Sequence, residues 1–444
     1  MGDISGDALE LAPFRGLRYA TADARSLMDS PTLNLGLALA PPYDVLDAAA
    51  VSGLMRAEPR NAVRLTVPPA ASATNGATRA LAGPDRYARA AETFQRWIDD
   101  GVLVRDTEPL LYVYEQTAPD GGRQRGLVGA LRLPRPGSTV VRPHEEVLSE
   151  PVADRARLMA AARANLEPIF LLYRGGTGAR RGTATRTVDA VAESAAAPLV
   201  DTTTGDRVTH RLWAVADPRV QADITADLAA RTALIADGHH RYAAYQRLRA
   251  ERTGPGAWDH GLALLVDSDA TPPRVGAIHR VLPGLEAGRA ARAARALAEI
   301  DTIPADGAGE LRAALDHLAK AAADGPALLL VGGGTGYLLH GFAPERLAAA
   351  MPDRSPVWRA LPTAVLTRVL LPLWDRTDEA ARLVHDDPAG AVAALRPDLD
   401  SAVLLPALSV DDVYAVTAAG ELTPRKSTSF GPKPRTGLVM RTLQ

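Results

Sequence analysis

Residues 234–252, LIADGHHRYAAYQRLRAER, place two adjacent histidines and an arginine where a short apolar run meets a helix-like stretch. The apolar run predicts a strand that ends near Asp237, and Gly238 allows a tight entry into the helix. Asp237 can cap that helix by accepting hydrogen bonds from backbone N–H groups. The histidines and the arginine then fall in the first helical turn, where the helix dipole makes cations unfavourable for stability alone.

Three interpretations of this turn are open. The N–H groups of a helix start, two imidazoles and a guanidinium predict an anion site, most naturally for phosphate, formed by Asp237, Gly238, His239, His240 and Arg241. A capped structural turn, with histidines paired to nearby carboxylates, is the second interpretation. A metal site is the third, and it is disfavoured because adjacent histidines project about 100° apart on a helix and lack the i, i+4 spacing of paired ligands.

A second cluster lies upstream in RPHEE, residues 142–146. Pro143 favours an extended chain, in which Glu145 and Glu146 point to opposite sides, so that one of them faces a site. Either carboxylate could act as a general base or help to hold Mg²⁺, and a solvated loop is the alternative. Four residues are candidates for substrate binding: Arg142 and His144 in this cluster, and Tyr43 and Asp44 in the rigid segment APPYDV at 40–45.

Lysine is rare in this chain. Of its 50 basic residues 47 are arginine, and two of the three lysines lie in PRKSTSFGPKPRTG, residues 424–437. An ammonium is a compact charge that suits phosphate or packing where a planar guanidinium would not fit. We therefore expect Lys426 to bind phosphate, with the hydroxyls of Ser427 and Thr428 as further donors. Chance clustering of three lysines is the alternative.

Composition narrows the class of protein. The 444 residues are 47% hydrophobic and 23% charged, which is typical of a globular chain. A formal net charge of −2 gives no overall basic field, which argues against nucleic-acid or membrane partners. Cysteine is absent, which excludes disulfides and thiolate metal sites. We expect a soluble cytoplasmic protein, because neither a signal-like start nor an apolar run of membrane-spanning length is evident. The sequence does not indicate an oligomeric partner.

Strand-like and helix-like segments alternate, which predicts a mixed α/β or α+β fold. Strands are predicted at 110–116, 126–133, 167–173, 210–216 and 261–267, and helices at 85–100, 152–165 and 241–252. Alanine- and arginine-rich stretches at 286–299, 308–323 and 376–396 predict amphipathic helices in the last third. Small and polar residues at 69–83 and 174–187 predict loops.

A boundary is expected near residue 285. It would divide the chain into a main α/β domain, 1–285, which carries the site, and a C-terminal α/β region, 286–444, whose tail at 424–437 returns to the site. The glycine run GGGTG at 332–336 lacks the Lys-Ser/Thr ending of a phosphate-binding P-loop, and we interpret it as a hairpin turn.

Several strings together resemble the bacterial family known as domain of unknown function 1015. They are LAPFRGLRY (11–19), APPYDV (40–45), RNAVRL (60–65), RPHEE (142–146), DRARL (154–158), NLEPIFLLY (165–173), ADGHHRYAAY (236–245) and KSTSFGPK (426–433). The Asp-Gly-His-His-Arg turn also resembles the phosphate-binding turn of the ParB and sulfiredoxin-like superfamily, which includes kinases of free L-serine. This chain departs from the family at Ala243, Ala244 and Tyr245, where members often carry Glu-Thr-Ala.

The resemblance implies a ParB/sulfiredoxin-like core with added α/β structure and a helical C-terminal part. It also implies a small-molecule kinase that transfers phosphate from ATP or ADP, with Mg²⁺, to a hydroxyl, most naturally that of L-serine. Glu145 matches the catalytic base, with Glu146 as its rival, and His240 is a second candidate catalytic residue. Two other classes stay open: a nucleotide-binding, ParB-like switch or DNA-associated protein, and a metal-dependent hydrolase that uses His144, Glu145, His239 and His240.

Overall fold

The computed structural model describes residues 7–20, 33–68, 85–396 and 399–443. The chain divides into two compact units. The first unit comprises residues 1–143, 147–273 and 432–444, and the second comprises 144–146 and 274–431. The division at 273/274 corrects the expected boundary near 285, because the strand at 278–282 pairs with later strands of the second unit.

The strands are numbered in chain order. They are β1 Leu11–Ala12, β2 Leu17–Tyr19, β3 Leu103–Arg105, β4 Leu111–Thr117, β5 Arg123–Arg132, β6 Val141–Arg142, β7 Ala164–Asn165, β8 Ile169–Tyr173, β9 Val200–Thr203, β10 Thr209–Val215, β11 Ala233–Asp237, β12 His260–Asp267, β13 Arg274–Gly276, β14 Ile278–Leu282, β15 Glu299–Pro304, β16 Leu328–Gly332, β17 Thr335–His340, β18 Arg382–His385, β19 Ser401–Leu404, β20 Ser429–Gly431 and β21 Arg441–Thr442.

The helices are numbered in the same way. They are α1 Leu35–Ala38, α2 Ala48–Ala57, α3 Val63–Thr66, α4 Asp85–Asp99, α5 Ser149–Ala162, α6 Thr183–Ala192, α7 Pro218–Ala229, α8 His239–Ala250, α9 Ala287–Ala294, α10 Gly307–Asp324, α11 Pro344–Ala350, α12 Pro356–Arg359, α13 Pro362–Val365, α14 Leu371–Leu373, α15 Pro388–Ala393 and α16 Val410–Ala418. A π-helical segment, Leu366–Leu370, joins α13 to α14, and 3₁₀ turns lie at Tyr43–Val45, Gly178–Arg180, Ala257–Asp259 and Asp378–Ala380.

The first unit is built on a nine-stranded mixed sheet. Its strands follow the order β6-β11-β8-β12-β5-β4-β10-β9, and β1 pairs with β5. The pairs β11/β6 and β12/β8 are parallel, and the other pairs are antiparallel. Seven of the eight residues of β12 are buried, because this strand lies inside the sheet between β8 and β5. A buried central strand reads as a continuous apolar run, which explains the pattern GLALLVD.

The second unit is built on a six-stranded antiparallel sheet in the order β15-β17-β16-β19-β14-β18. Helix α10 packs on β15, β16 and β17, and α15 packs on β14 and β19. The core between them contains Leu311, Leu318, Leu329 and Leu404. The glycine run at 332–336 joins β16 to β17 as the predicted hairpin, with Gly333 and Gly334 both at positive φ.

The mixed α/β class is confirmed, as are the predicted strands and the helices near 85–100, 152–165 and 241–252, within a few residues at their ends. Two predictions are wrong. The stretch 376–396 is not one helix but a 3₁₀ turn, strand β18 and the short helix α15, separated at Asp386, which has a positive φ, and Asp387, which caps α15. Residues 174–187 are not wholly loop, because α6 begins at Thr183. The predicted loop 69–83 lies outside the described residues.

Within the described helices, none combines the length and the apolar character needed to span a membrane.

Candidate functional site

The histidine turn joins the end of β11 to the start of α8. Strand β11 is buried between β6 and β8, and its pairing shifts register between Ile235 and Asp237. Gly238 then adopts φ +90° and ψ 28°, a left-handed conformation that glycine reaches at little cost. Helix α8 begins directly afterwards, so the predicted strand, glycine and helix follow one another as the sequence indicates.

Asp237 does not cap α8, which corrects the sequence prediction. The N-cap residue is Gly238, which has no side chain that could cap this helix. Asp237 is still the last residue of the strand, and its carboxylate faces Arg241 and Lys433 instead. The Asp237 carboxylate therefore does not reduce the partial positive charge at the N-terminal end of α8.

Arg241 lies inside the first unit, whereas the sequence placed it on the ligand side of the turn. The residue is 1% exposed. One Nη donates to Asp237 Oδ2 at 2.6 Å and the other to the carbonyl of Pro168 at 2.5 Å. A position four residues after Asp237 allows the side chain to return along the helix to that carboxylate. Arg241 thus fixes the strand-to-helix turn from within.

The two histidines of the turn are half-buried. The Nε2 of His240 accepts a hydrogen bond from the backbone N–H of Leu148 at 3.2 Å. An imidazole that accepts at Nε2 is neutral and carries its proton on Nδ1. This hydrogen bond joins the start of α8 to Leu148, the N-cap residue of α5.

Lys433 is the lysine that meets the turn. Its ammonium forms an ion pair with Asp237 Oδ1 and a second with Asp44 Oδ2 at 3.2 Å. Burial and the neighbouring Asp44 carboxylate raise the pKa of Asp237. Burial also acts to raise the pKa of Asp44, but Lys433 and Arg241 outweigh it and lower that pKa. The sequence singled out the right tail but favoured Lys426 within it.

Asp44 is positioned by a neighbouring network in the first unit. The N–H of Tyr43 donates to Glu167 Oε1 at 3.2 Å, and the Thr436 hydroxyl donates to the same oxygen at 2.9 Å. The guanidinium of Arg155 lies 4.1 Å from the centre of the Tyr43 ring. Burial raises the pKa of Tyr43 to about 12, so its hydroxyl stays protonated at neutral pH. Glu167 was not predicted as a site residue from the sequence, although it lies in the family-like segment NLEPIFLLY.

His144 is buried in the second unit, where it contacts other residues of that unit. It is 1% exposed, and its Nε2 lies 2.9 Å from the Thr428 hydroxyl. Its carbonyl accepts from the N–H of Thr423 at 2.7 Å and from its hydroxyl at 2.8 Å, and its ring packs edge-on against Phe430. Next to it, Glu145 is half-buried and Glu146 is exposed.

The remaining predicted site residues make contacts within their own units. The Ser427 hydroxyl donates to the carbonyl of Pro424 at 2.5 Å, and the Thr428 hydroxyl is hydrogen-bonded to His144. Both hydroxyls were predicted to donate to a phosphate, but in the structure both already have a protein partner. Lys426 adopts a φ of +56°, and its carbonyl accepts from Arg280 at 3.1 Å. In the first unit, Arg142 donates from Nε to the carbonyl of Thr139 at 2.9 Å.

The predicted site residues divide between the units. Tyr43, Asp44, Arg142 and the turn Asp237 to Arg241 belong to the first unit, and His144, Glu145, Lys426, Ser427 and Thr428 belong to the second. Among the residues with described positions, no group of three or more histidine or acidic side chains is arranged to hold a metal ion.

Comparison with solved structures gives distant likenesses. SbnI with a C-terminal truncation, from Staphylococcus aureus, is 11% identical with a TM-score of 0.35, covering 69% of this chain and 84% of that one. A variant of free serine kinase in complex with ADP is 14% identical with a TM-score of 0.32, covering 66% and 84%. A conserved hypothetical protein from Pyrococcus furiosus is 15% identical with a TM-score of 0.31, covering 68% and 90%.

Among curated proteins, none matches this chain. A family model does match, over residues 11–364, a range that includes APPYDV, RPHEE and the histidine turn. That model describes proteins of unknown function, DUF1015, and the chain belongs to this family.

Proposed function

We propose that this protein is a phosphotransferase that moves a phosphoryl group from ATP or ADP to the hydroxyl of a small molecule, with L-serine as the first acceptor to test. The observation that carries the proposal is the start of α8. A buried strand ends at a left-handed glycine, and a helix of twelve residues begins there with this glycine as its N-cap residue. Such a start favours anions, and phosphate in particular.

Side chains around the turn complement that role. The imidazoles of His239 and His240 lie in the first turn of this helix, where we expect them to contact a phosphate oxygen. Arg241 and Lys433 balance the carboxylates of Asp237 and Asp44, so that these do not repel an anion from the helix start. The sequence likeness to free-serine kinases rests on these same residues, 237–241.

The transfer itself needs few protein groups. The acceptor oxygen forms a bond to the terminal phosphorus of the nucleotide, the bond to the leaving phosphate breaks, and the hydroxyl proton passes to a carboxylate. We propose Glu145 as this base, with Glu146 as the alternative. Positioning and charge neutralisation supply most of the catalysis in such reactions.

Mg²⁺ is the metal that this chemistry implies. In nucleotide sites Mg²⁺ is held mainly by the phosphates and by one or two carboxylates. Asp44 fits that requirement. Its side chain is 36% exposed, and its carboxylate is connected to the turn because Lys433 pairs with both Asp44 and Asp237. When bound, the ion would neutralise charge on the transferred phosphoryl group.

The test uses the full chain with ATP or ADP, Mg²⁺ and a panel of small hydroxyl compounds that includes L-serine. Products are followed by ³¹P NMR, and nucleotide binding by the shift in melting temperature. We expect phosphoserine from the wild type. Glu145→Gln should abolish it and keep the nucleotide-dependent shift, whereas the matched variant Glu146→Gln should retain activity.

Other outcomes separate the alternatives. Nucleotide binding without any phosphorylated product would favour a nucleotide-dependent switch over a kinase. Loss of activity in Glu146→Gln but not in Glu145→Gln would move the base by one residue. A wild-type protein that neither binds nucleotide nor forms product would defeat the proposal.

A further inference from the structure

A wide cavity opens in the first unit at the C-terminal end of α8. Its volume is about 930 Å³, within the range of small-molecule sites. The histidine turn begins the same helix, and twelve residues of helix separate the two ends by about 18 Å. The cavity is therefore a separate place from the proposed phosphate site. Its charged and imidazole side chains are Asp7, Arg132, Arg135, Arg249, Asp259 and His260.

Two of the arginines are only loosely engaged. Their side chains are each 63% exposed. Arg132 lies 3.4 Å from Glu10, and Arg135 lies 3.1 Å from Asp7. Exposed ion pairs of this kind contribute little to stability, so both guanidinium groups can turn to another anion at little cost.

Arg249 provides a third guanidinium from the last turn of α8. It donates to the backbone carbonyl of Leu133, and within the described ranges it makes no ion pair with a carboxylate. The nearest acidic residue along the helix, Glu251, pairs with Arg247 instead. The charge of Arg249 is thus not neutralised by a neighbour at the cavity wall.

A fourth guanidinium, that of Arg441, bonds to a residue of the cavity wall, His260. Arg441 is 7% exposed and donates to the carbonyls of Ala257 at 2.8 Å and His260 at 3.0 Å, and to the side-chain oxygen of Asn165 at 3.1 Å. These acceptors are all neutral. Burial without a carboxylate partner lowers the pKa of Arg441 to about 10. A buried cation without a counter-ion is costly, and an anion in the neighbouring cavity would reduce that cost.

The other titratable groups do not cancel this charge. Burial and Arg441 lower the pKa of His260, so the imidazole is neutral at neutral pH. The Asp259 carboxylate accepts from the N–H of Gly256 at 2.8 Å, and Asp7 is engaged by Arg135. The three guanidinium groups of the cavity wall therefore outnumber its two carboxylates, Asp7 and Asp259, and Arg441 bonds to His260 of the same wall.

We propose that this cavity binds a small organic polyanion that carries phosphate or carboxylate groups. The side-chain charges select for negative charge, and the volume suits a metabolite rather than a single inorganic ion. Arg132, Arg135 and Arg249 contact the ligand, and Arg441 adds positive charge behind His260 of the wall. The proposal is independent of the phosphotransferase activity.

The experiment titrates the full chain with pyrophosphate in one arm and citrate in the other, by calorimetry and by tryptophan emission. Trp258 reports on the site, because it lies between Ala257 and Asp259 and its ring stacks 4.7 Å from Arg252. We expect saturable binding that weakens as salt is raised. The stronger arm identifies the phosphate or the carboxylate as the preferred group.

Arg249→Gln should weaken binding about tenfold, which corresponds to the loss of about 1.4 kcal/mol from a charge-assisted hydrogen bond. The matched control is Arg247→Gln, on the solvent side of the same helix, and it should bind as the wild type does. The double variant Arg132→Gln/Arg135→Gln changes exposed residues only, so it tests the site without threatening the fold.

Binding at the histidine turn is distinguished with the double variant His239→Ala/His240→Ala, in which binding at the cavity should persist. The absence of saturable binding in both arms would overturn the proposal. So would equal affinities for Arg249→Gln and Arg247→Gln, or loss of all binding in the histidine variant. None of these results depends on whether the protein transfers phosphate.

Discussion

At the scale of single residues, Lys433 is the side chain on which the charge balance of the histidine turn depends. Its ammonium pairs with both Asp237 and Asp44, and its own side chain is 19% exposed. Replacing it by methionine keeps much of the packing but leaves two neighbouring carboxylates without their shared cation. We expect Lys433→Met to lower the free energy of unfolding by about 2–3 kcal/mol at pH 7, measured by urea titration.

Lys426→Met is the control for that measurement. Within the described part of the chain the Lys426 ammonium makes no ion pair, so its loss should change the free energy of unfolding by less than about 0.5 kcal/mol. Adding Asp44→Asn to Lys433→Met should recover part of the stability. Equal effects of the two lysine variants would contradict the role assigned to Lys433.

His210 makes the stability of the first unit depend on pH. It is buried, with Nδ1 2.9 Å from the Tyr114 hydroxyl and Nε2 3.0 Å from the Thr204 hydroxyl. Burial, and then the nearby Arg435, lower its pKa from 6.5 to about 4. The unfolded chain therefore binds one more proton than the folded chain between these values. The corresponding stability is present above pH 6.5 and is lost as the pH falls to about 4, a change of about 3 kcal/mol.

Urea titrations at successive pH values test this dependence. His210→Gln keeps two hydrogen-bonding groups but does not titrate. Between pH 6.5 and 4, the number of protons that the chain takes up on unfolding should therefore fall by about one, and the free energy of unfolding should change less steeply with pH. His317→Gln, exposed on α10, is the matched control and should keep the wild-type slope. An unchanged slope in His210→Gln would show that another group titrates.

At the scale of elements, the connection from β11 to α8 requires glycine at 238. A Cβ there would lie 3.0 Å from Ile169 Cγ2 and 3.1 Å from an Arg241 Nη, at a φ of +90°. Gly254 has a similar φ of +80°, but a Cβ there would meet nothing within 4 Å. Gly254→Ala should therefore lower the free energy of unfolding by about 1 kcal/mol, for backbone strain alone.

Gly238→Ala should lower it by about 2–3 kcal/mol, because contacts add to the same backbone strain. The difference between the two variants, measured by urea titration under one set of conditions, isolates the crowding around Arg241. If the two substitutions were equally costly, the turn would have room for a side chain, and close packing would not explain the glycine.

Periodicity and composition predicted the elements that are regular and largely local. The apolar run at 261–267 forms β12, and the helical pattern at 241–252 forms α8. Both were predictable because a strand buried inside a sheet has a continuous apolar sequence, and a helix with one buried face has apolar residues at helical spacing. The segment 376–396 was predicted wrongly because its alanines and arginines suit a helix, whereas β18 is decided by pairing with β14, a hundred residues away.

The site was predicted in part for the same reason. The glycine between a strand and a helix is a local signal, and the turn lies where it was expected. The burial of Arg241 and the pairing of Lys433 with Asp44 depend on contacts made only after folding, so composition could point to the lysine-bearing tail but could not choose between Lys426 and Lys433.

At the scale of the whole molecule, the chain is interleaved between its two units. Residues 144–146 belong to the second unit although 143 and 147 belong to the first, and residues 432–444 return to the first after 158 residues of the second. Pairings such as β13 with β20 and β21 with β7 connect distant parts of the sequence. These antiparallel pairs leave no periodic signal along the chain, which is why a single boundary near 285 was expected.

The returning segment gives a prediction about the whole chain. In residues 432–444, β21 pairs with β7, the backbones of Met440 and Leu17 exchange two hydrogen bonds of 2.9 Å, and Leu438, Val439, Met440 and Leu443 are buried. Each such apolar side chain stabilises the fold by about 1.5–3 kcal/mol when buried. Deleting 432–444 should therefore destabilise the first unit, although the segment follows the second unit directly in the sequence.

Amide hydrogen exchange can measure the protection of both units in one sample. Peptides from β5 and β12 should exchange much faster in the deletion variant than in the full chain, whereas peptides from β16 and β19 should keep their protection. The second unit then serves as the internal control, because its sheet contains no residue of the deleted segment. Equal loss of protection in both units would mean that they unfold together, and unchanged exchange in β5 and β12 would mean that the tail adds nothing to the first unit.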